Sequence, residues 1–426
     1  MSTEVKRKVL VLSDASCGVT GFSMVAYNIL KDLYETGLYE IVQVGINYDG
    51  VGYDQKKIPY TILPATSGID PNYRDVYGRK RFLDILSSGQ VDIAFIIQDM
   101  AVVASFHKDM QKVYDALPKN KKFTSIYYFP VDSDLKTKRG WVVNSASKID
   151  YPVVYTEYGR KEVEQFDPDL KKRISVCPHG VDTSIFHPLK QDEIEIAKRT
   201  IFKGIDLKDR FIVLNLNRNQ IRKDYLKTFK TIAELKKVVP NVLLVAFAAR
   251  RDQGGDLAEI AEQCGLIAGQ DWVAPKDYDN LKGFPVEAVN AVYNMADCVF
   301  SSAVGEGFGL SSIEGMACRK PCVFPENTSL IEIFGADGVR GRLVKSGDKP
   351  EHFVCYGAND SSLVRPTINI EDAVKKLAWV AKGGPEVDEM AERGYIWAKE
   401  HDWRTVNKFW IEKFEKAYAR TIRTRA

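Results

Sequence analysis

The run Gly305-Glu306-Gly307-Phe308-Gly309-Leu310-Ser311-Ser312-Ile313-Glu314 sets two carboxylates around a glycine-rich turn. Glycine lets a backbone approach a ligand closely and take positive φ. A hydrophobic stretch precedes the run (Asp297 to Ser302) and a helical pattern follows it (Glu314 to Cys318), which predicts strand, glycine loop and helix start. The first turn of a helix offers unpaired N–H groups and the positive end of its dipole, a setting for phosphate oxygens. A carboxylate repels phosphate but accepts readily from sugar hydroxyls. Glu306 and Glu314, flanking such a turn, therefore suit a nucleotide sugar, one for the transferred sugar and one for the ribose. Ser311-x-x-Glu314 also spells a capping box, which would stabilise the helix without a ligand; the two readings are compatible.

Glu306 and Glu314, with Gly-Phe-Gly-Leu between them, resemble the E-x7-E motif of GT-B glycosyltransferases of the GT4-like retaining family. Residues 180–188 are similar to the family's mid-chain signature, Arg218 and Lys223 to its basic pair, and His401-Asp402-Trp403 to its C-terminal Trp segment. The resemblance runs from about Cys177 to the end and thins before it. It implies an α/β fold of GT-B type, two Rossmann-like doubly wound parallel-sheet domains facing a cleft. Residues 1–182 would form the acceptor side, 183–400 the nucleotide-sugar side, and 401–426 a helix packing back on the first domain. It further implies retaining transfer of a hexosyl or pentosyl group from a nucleoside-diphosphate sugar, the leaving phosphate helping to deprotonate the acceptor. The donor is a substrate, and no cofactor is implied. Acceptors in the wider family include glycans, lipids, small molecules and modified nucleic-acid bases, and the sequence does not choose among them.

Site residues follow from the match. Glu306, Arg218, Lys223 and Asp132 are the catalytic candidates. Gly18, Gly21, Arg218, Lys223, Gly307, Phe308, Gly309, Leu310 and Glu314 are the donor-binding ones. Arg is a fork for phosphate oxygens and Lys a mobile point charge. Fixed cations there stabilise the charge that builds on the departing diphosphate. Arg222 is a surplus cation that could be surface. In the family the first strand-to-helix loop faces the donor phosphates across the cleft, which is the part given to Gly18 and Gly21. Where relatives often carry a His-Asp pair, this chain has Val131-Asp132, so Asp132 is left to contact sugar or acceptor. Asp132-Ser133-Asp134 spells a D-x-D that could bind Mg²⁺ or Mn²⁺ through oxygen. With positive side chains serving the diphosphate, a metal-independent reaction is expected.

These residues need a scaffold, and the chain supplies alternation. Lys8 to Asp14 reads as a buried strand, Ser16 to Gly21 as a turn, and Phe22, Val25, Ala26, Ile29, Leu30 and Leu33 recur at helical spacing. Further strands are expected at 41–47, 91–98, 124–129, 151–156 and 174–178, then at 211–217, 242–247, 271–275, 297–302 and 321–324. Such alternation argues for parallel sheets covered on both faces, with ligands beyond the carboxyl ends of the strands. Residues 48–71, rich in Gly, Tyr, Asp and Pro, read as a long loop. Trp272 reads better as core than as a stacking platform, His179 and Asp182 as turn-shaping, and the basic tail Arg420, Arg423, Arg425 as a solvated end.

Composition bounds the rest. At 426 residues with 45% apolar content the chain can fill two cores, and a net charge of +3 implies no strong polyanion partner. The seven cysteines lack zinc spacing and read as reduced thiols. No signal-type leader and no membrane-spanning run is legible, so a cytoplasmic protein is expected. A sugar-nucleotide epimerase or hydrolase on the same fold, or a catalytically silent nucleotide-sugar binder, would share the nucleotide site and stand as alternatives.

Overall fold

The apolar runs become buried parallel strands, and the intervening amphipathic segments become the helices that cover them. The structure is a computed structural model; it describes residues 6–426 except 67–74, 136–145, 147, 166, 168, 202, 203, 206, 276, 277, 279–282 and 361. Two compact units result: one takes Met1–His179 with Trp403–Ala426, the other Gly180–Asp402.

In the first unit β1 (Arg7–Asp14), α1 (Gly21–Glu35), β2 (Tyr39–Ile46), β3 (Thr61–Pro64), α2 (Arg79–Ser87), β4 (Ile93–Ile97), α3 (His107–Ala116), β5 (Thr124–Phe129), β6 (Tyr151–Val154), α4 (Glu157–Glu164) and β7 (Ser175–Val176) follow one another. The strands form one parallel sheet in the order β3-β2-β1-β4-β5-β6-β7. The segment read as a loop over 48–71 instead contributes β3 at the sheet edge; residues 67–71 lie outside the described residues. Its alternation spans only four residues, too short a pattern to stand out among Gly and Pro.

The second unit runs through α5 (Gln191–Ile201), β8 (Phe211–Asn215), α6 (Tyr225–Leu235), β9 (Val242–Ala246), α7 (Leu257–Gln263), β10 (Trp272–Val273), α8 (Val286–Met295), β11 (Cys298–Phe300), α9 (Leu310–Ala317), β12 (Cys322–Pro325), β13 (Arg342–Val344), α10 (Ile370–Lys382) and α11 (Pro385–Glu400). Its strands are parallel in the order β10-β9-β8-β11-β12-β13. Trp272 is buried edge-on against Phe229, a core residue as expected.

The last helix, α12 (Trp403–Arg425), returns to the first unit. Trp410, Phe414, Ala417 and Thr421 recur at helical spacing and are all buried. Trp410 packs 5.2 Å from Phe95 and 4.7 Å from Tyr128, and Phe414 lies edge-on to Phe95 and Tyr39. The tail is solvated only in part: Arg420 and Arg423 are exposed, and Arg425 is half-buried. Arg425 pairs with Asp92 and donates to the carbonyls of Lys122 and Val91, and Arg420 pairs with Asp150. Acidic residues distant in sequence supply those partners, so local charge reading could not find them. Among the described residues no helix is long and apolar enough to cross a membrane.

Candidate functional site

Strand order reverses in the second unit between β8 and β11. Loops diverge at such a switch point and leave a crevice beyond the strand ends. The two loops that leave it carry the chemistry read from the sequence. After β8 come Arg218 to Lys223, and after β11 comes the glycine run. Side chains tie the two together. Asn215 donates to Thr228 Oγ1 at 2.9 Å, Thr228 and Ser302 hydroxyls lie 2.6 Å apart, and Ser302 donates to the carbonyl of Asp224 at 2.8 Å. The Val304 amide donates to the Arg222 carbonyl at 2.9 Å.

Glu306 sits at the centre of this seam, 5% exposed. Its Oε1 pairs with the buried Nζ of Lys223, and Arg222 Nη1 lies 3.4 Å from Oε2 and donates to the Gly305 carbonyl at 3.1 Å. Arg222, read from sequence as a surplus surface cation, is therefore brought to Glu306; a short 3-10 turn over Ile221–Lys223 folds both cations back toward the glycine loop. Asp224 ends that turn in the left-handed region (φ 47°) and its side chain caps α6. Burial pushes its carboxyl up to about 6.

The capping box does not form. α9 starts at Leu310, its N-cap is Gly309 at φ 95°, and no side chain caps it. Ser311 is thus inside the first turn instead of before it. A Cβ at Gly309 would meet Leu330 Cδ2 at 3.0 Å, so glycine is required by both φ and space. An uncapped first turn keeps its amides for an incoming anion. Phe308 is buried beside this turn. One helical turn on, Glu314 accepts from the Tyr293 hydroxyl at 2.7 Å. Glu314 keeps partial exposure, but protein crowds its carboxyl. That desolvation pushes its pKa up to about 7, against a smaller lowering from Tyr293.

Arg218 opens the same loop, and its guanidinium pairs with Asp252 at 2.7 Å. Asp252 belongs to a small antiparallel hairpin over residues 251–256, which is not among the strands expected from sequence. Asn219 binds this hairpin to the loop through the carbonyls of Ala249, Arg250 and Gly255.

In the first unit the sheet order reverses between β1 and β4. Gly18 and Gly21 follow β1. A Cβ at Gly18 would meet Ser23 Oγ at 2.7 Å, and Gly21 opens α1 behind the N-cap Thr20. Thr20 Oγ1 donates to Asp14 at 2.6 Å. Asp132 follows β5, half-buried, with Ser133 buried and Asp134 exposed. His179 is buried against Tyr128, whose hydroxyl lies 2.7 Å from Nδ1. Burial holds its pKa down at about 3, which keeps the ring neutral. Asp182 accepts from Ser184 N at 2.9 Å, a turn-shaping contact.

Two features escaped sequence reading: the second cation on Glu306 and the Tyr293 partner of Glu314. The polar run 325–329, expected from sequence at a strand end next to the donor loop, grips the glycine loop through Asn327, Thr328 and Ser329.

Residues 197–356 match the model of the family described as glycosyl transferases group 1. A D-inositol 3-phosphate glycosyltransferase of Mycolicibacterium smegmatis is 28% identical over 207 residues, which cover 49% of this chain and 44% of that protein. The chain spans about half or less of the length of the curated relatives it matches. Among solved structures, a sucrose-phosphate synthase from Thermosynechococcus elongatus superposes with a TM-score of 0.71 at 13% identity, covering 97% of this chain and 100% of that one. Anabaena HepE in complex with UDP and glucose does so with 0.71 at 12% identity, covering 96% and 100%. With two parallel-sheet units, the chain has the GT-B fold.

Proposed function

We propose that this chain, a GT-B protein whose residues 197–356 match the model of the glycosyl transferases group 1 family, is a retaining glycosyltransferase that uses a nucleoside-diphosphate sugar. The observation that carries the reading is Glu306 held between Lys223 and Arg222 at the mouth of an uncapped helix. In the resting site the carboxylate and the cations neutralise each other. A diphosphate is the stronger claimant on the cations, because its oxygens take Arg and Lys together. Its arrival draws Lys223 away and leaves Glu306 to accept from hydroxyls of the transferred sugar. Arg218 turns from Asp252 to the same diphosphate. Amides at Gly307 to Leu310 donate to it, and Glu314 accepts from the ribose.

In the reaction the bond from the anomeric carbon to the phosphate oxygen breaks. The acceptor oxygen bonds to that carbon on the same face, and the acceptor proton passes to the leaving phosphate. Products are a glycoside and a nucleoside diphosphate. The cations carry the charge of the leaving group, so the reading takes no metal. From the first unit it takes Asp132 as a carboxylate that orients a hydroxyl. The donor class has support in the UDP and glucose bound by HepE. The acceptor stays open among glycans, lipids, small molecules and modified bases.

The test is a thermal-shift screen with UDP-, GDP- and ADP-glucose, followed by incubation with each donor alone and with acceptor panels. Ligand at 100 times its dissociation constant adds about 2.7 kcal/mol. The product's anomeric configuration, read by NMR, decides retention. Stabilisation by none of the three, or donor turned over equally without any acceptor, would overturn transfer.

A further inference from the structure

Thr328 takes φ 43°. For a β-branched residue that is a genuine outlier, whereas glycine would occupy the same backbone without steric penalty. Strain of this kind persists where surrounding contacts over-determine it. Here the contacts point at one residue. Thr328 Oγ1 accepts from the Glu306 amide at 3.0 Å and lies 3.2 Å from Asn327 Oδ1. The next residue, Ser329, donates to the Glu306 carbonyl at 2.8 Å and to the Phe308 carbonyl at 3.2 Å. Asn327 Nδ2 donates to the Ala303 carbonyl at 3.0 Å. Consecutive hydroxyls therefore hold Glu306 at both its N–H and its C=O.

The need for that grip lies in the sequence. Glu306 stands between Gly305 and Gly307. Glycines widen the conformations open to the residue between them, and fixing it costs entropy. The cations hold only the far end of the side chain, and a bound diphosphate would remove one of them. What keeps the carboxylate aimed at that moment is its backbone. We propose that Thr328 is a positioning residue for Glu306, fixing its backbone so that the carboxylate meets the transferred sugar when Lys223 moves to the diphosphate. The proposal rests on the functional reading of Glu306 given above.

The experiment compares the full-length chain with Thr328→Gly, Thr328→Val, Thr328→Ser and Glu306→Gln. Amide exchange over residues 303–309 is followed by mass spectrometry, alongside UDP release from UDP-glucose. Thr328→Gly relaxes φ but loses the hydroxyl, so exchange should accelerate by tenfold or more. Its kcat should fall by about 10- to 100-fold, with KM for UDP-glucose changed by less than about threefold, as a misplaced group predicts. Thr328→Val should behave alike, and Thr328→Ser should restore both readouts. Should Thr328→Val fail to fold, Thr328→Gly still decides, because glycine tolerates the backbone. Exchange at the wild-type rate in Thr328→Gly overturns the proposal, as does accelerated exchange with unchanged turnover. Glu306→Gln with full turnover would instead remove the role of Glu306, and the exchange comparison would still judge the Thr328 contact on whichever donor is accepted.

Discussion

At Glu306 two cations, Lys223 and Arg222, share one buried carboxylate. Breaking a buried pair by removing one partner costs about 3–5 kcal/mol when nothing replaces it. Lys223→Ala should cost less than this, because Arg222 remains 3.4 Å from Glu306, while UDP affinity falls at least tenfold; chemical denaturation and calorimetry read the two. Glu314 gives a pH signature. Its folded pKa is raised to about 7 from an ordinary value of 4.5. The folded state therefore holds a proton that the unfolded chain has released, and stability declines as pH rises between these values. Relative to Glu314→Gln, the wild type should lose melting temperature from pH 5 to pH 8. If the ribose takes the ionised carboxylate, UDP affinity should also rise with pH through about 7 in the wild type and flatten in Glu314→Gln.

The element that matters most is the turn from β11 into α9. It is built around a position that only glycine fits, and its helix has no side-chain cap. Gly309→Ala should strain the turn by about 1–3 kcal/mol and weaken UDP binding more than it lowers melting temperature, as paired melting and calorimetry would show. The capping-box pattern misleads because a motif of four letters does not fix where a helix begins. Gly309 is the N-cap and the helix starts at Leu310, before Ser311, so Ser311 and Glu314 cannot exchange cap bonds. The Arg218–Asp252 pair belongs to this scale as well. A hairpin clamped by Asn219 presents Asp252 to Arg218, and nothing local to either residue announces it.

Over the whole molecule the chain closes on itself. α12 completes the first unit, with Trp410 and Phe414 filling its core beside Phe95, Tyr39 and Tyr128. Trp410→Ala should cost about 3–5 kcal/mol. A chain ending at Asp402 should melt with one cooperative transition from the second unit, the first unit being opened to protease. Two persisting transitions of normal height would contradict that role for α12. The GT-B frame gives each sheet a switch point, and in the second unit the basic turn and the glycine turn both leave from it.

The alternation of strands and helices and the glycine turn were legible in the chain, because periodicity and glycine placement are local properties of a sequence, and the resemblance singled out Glu306, Glu314, Arg218 and Lys223 as candidates. Partnerships were not. That Arg222 joins Lys223 on Glu306, that Tyr293 holds Glu314, that Asp252 holds Arg218 and that Thr328 holds the Glu306 backbone all depend on segments far apart in sequence. Parallel β-pairing places loops side by side only after the crossovers have folded, so tertiary structure alone decides which charge meets which.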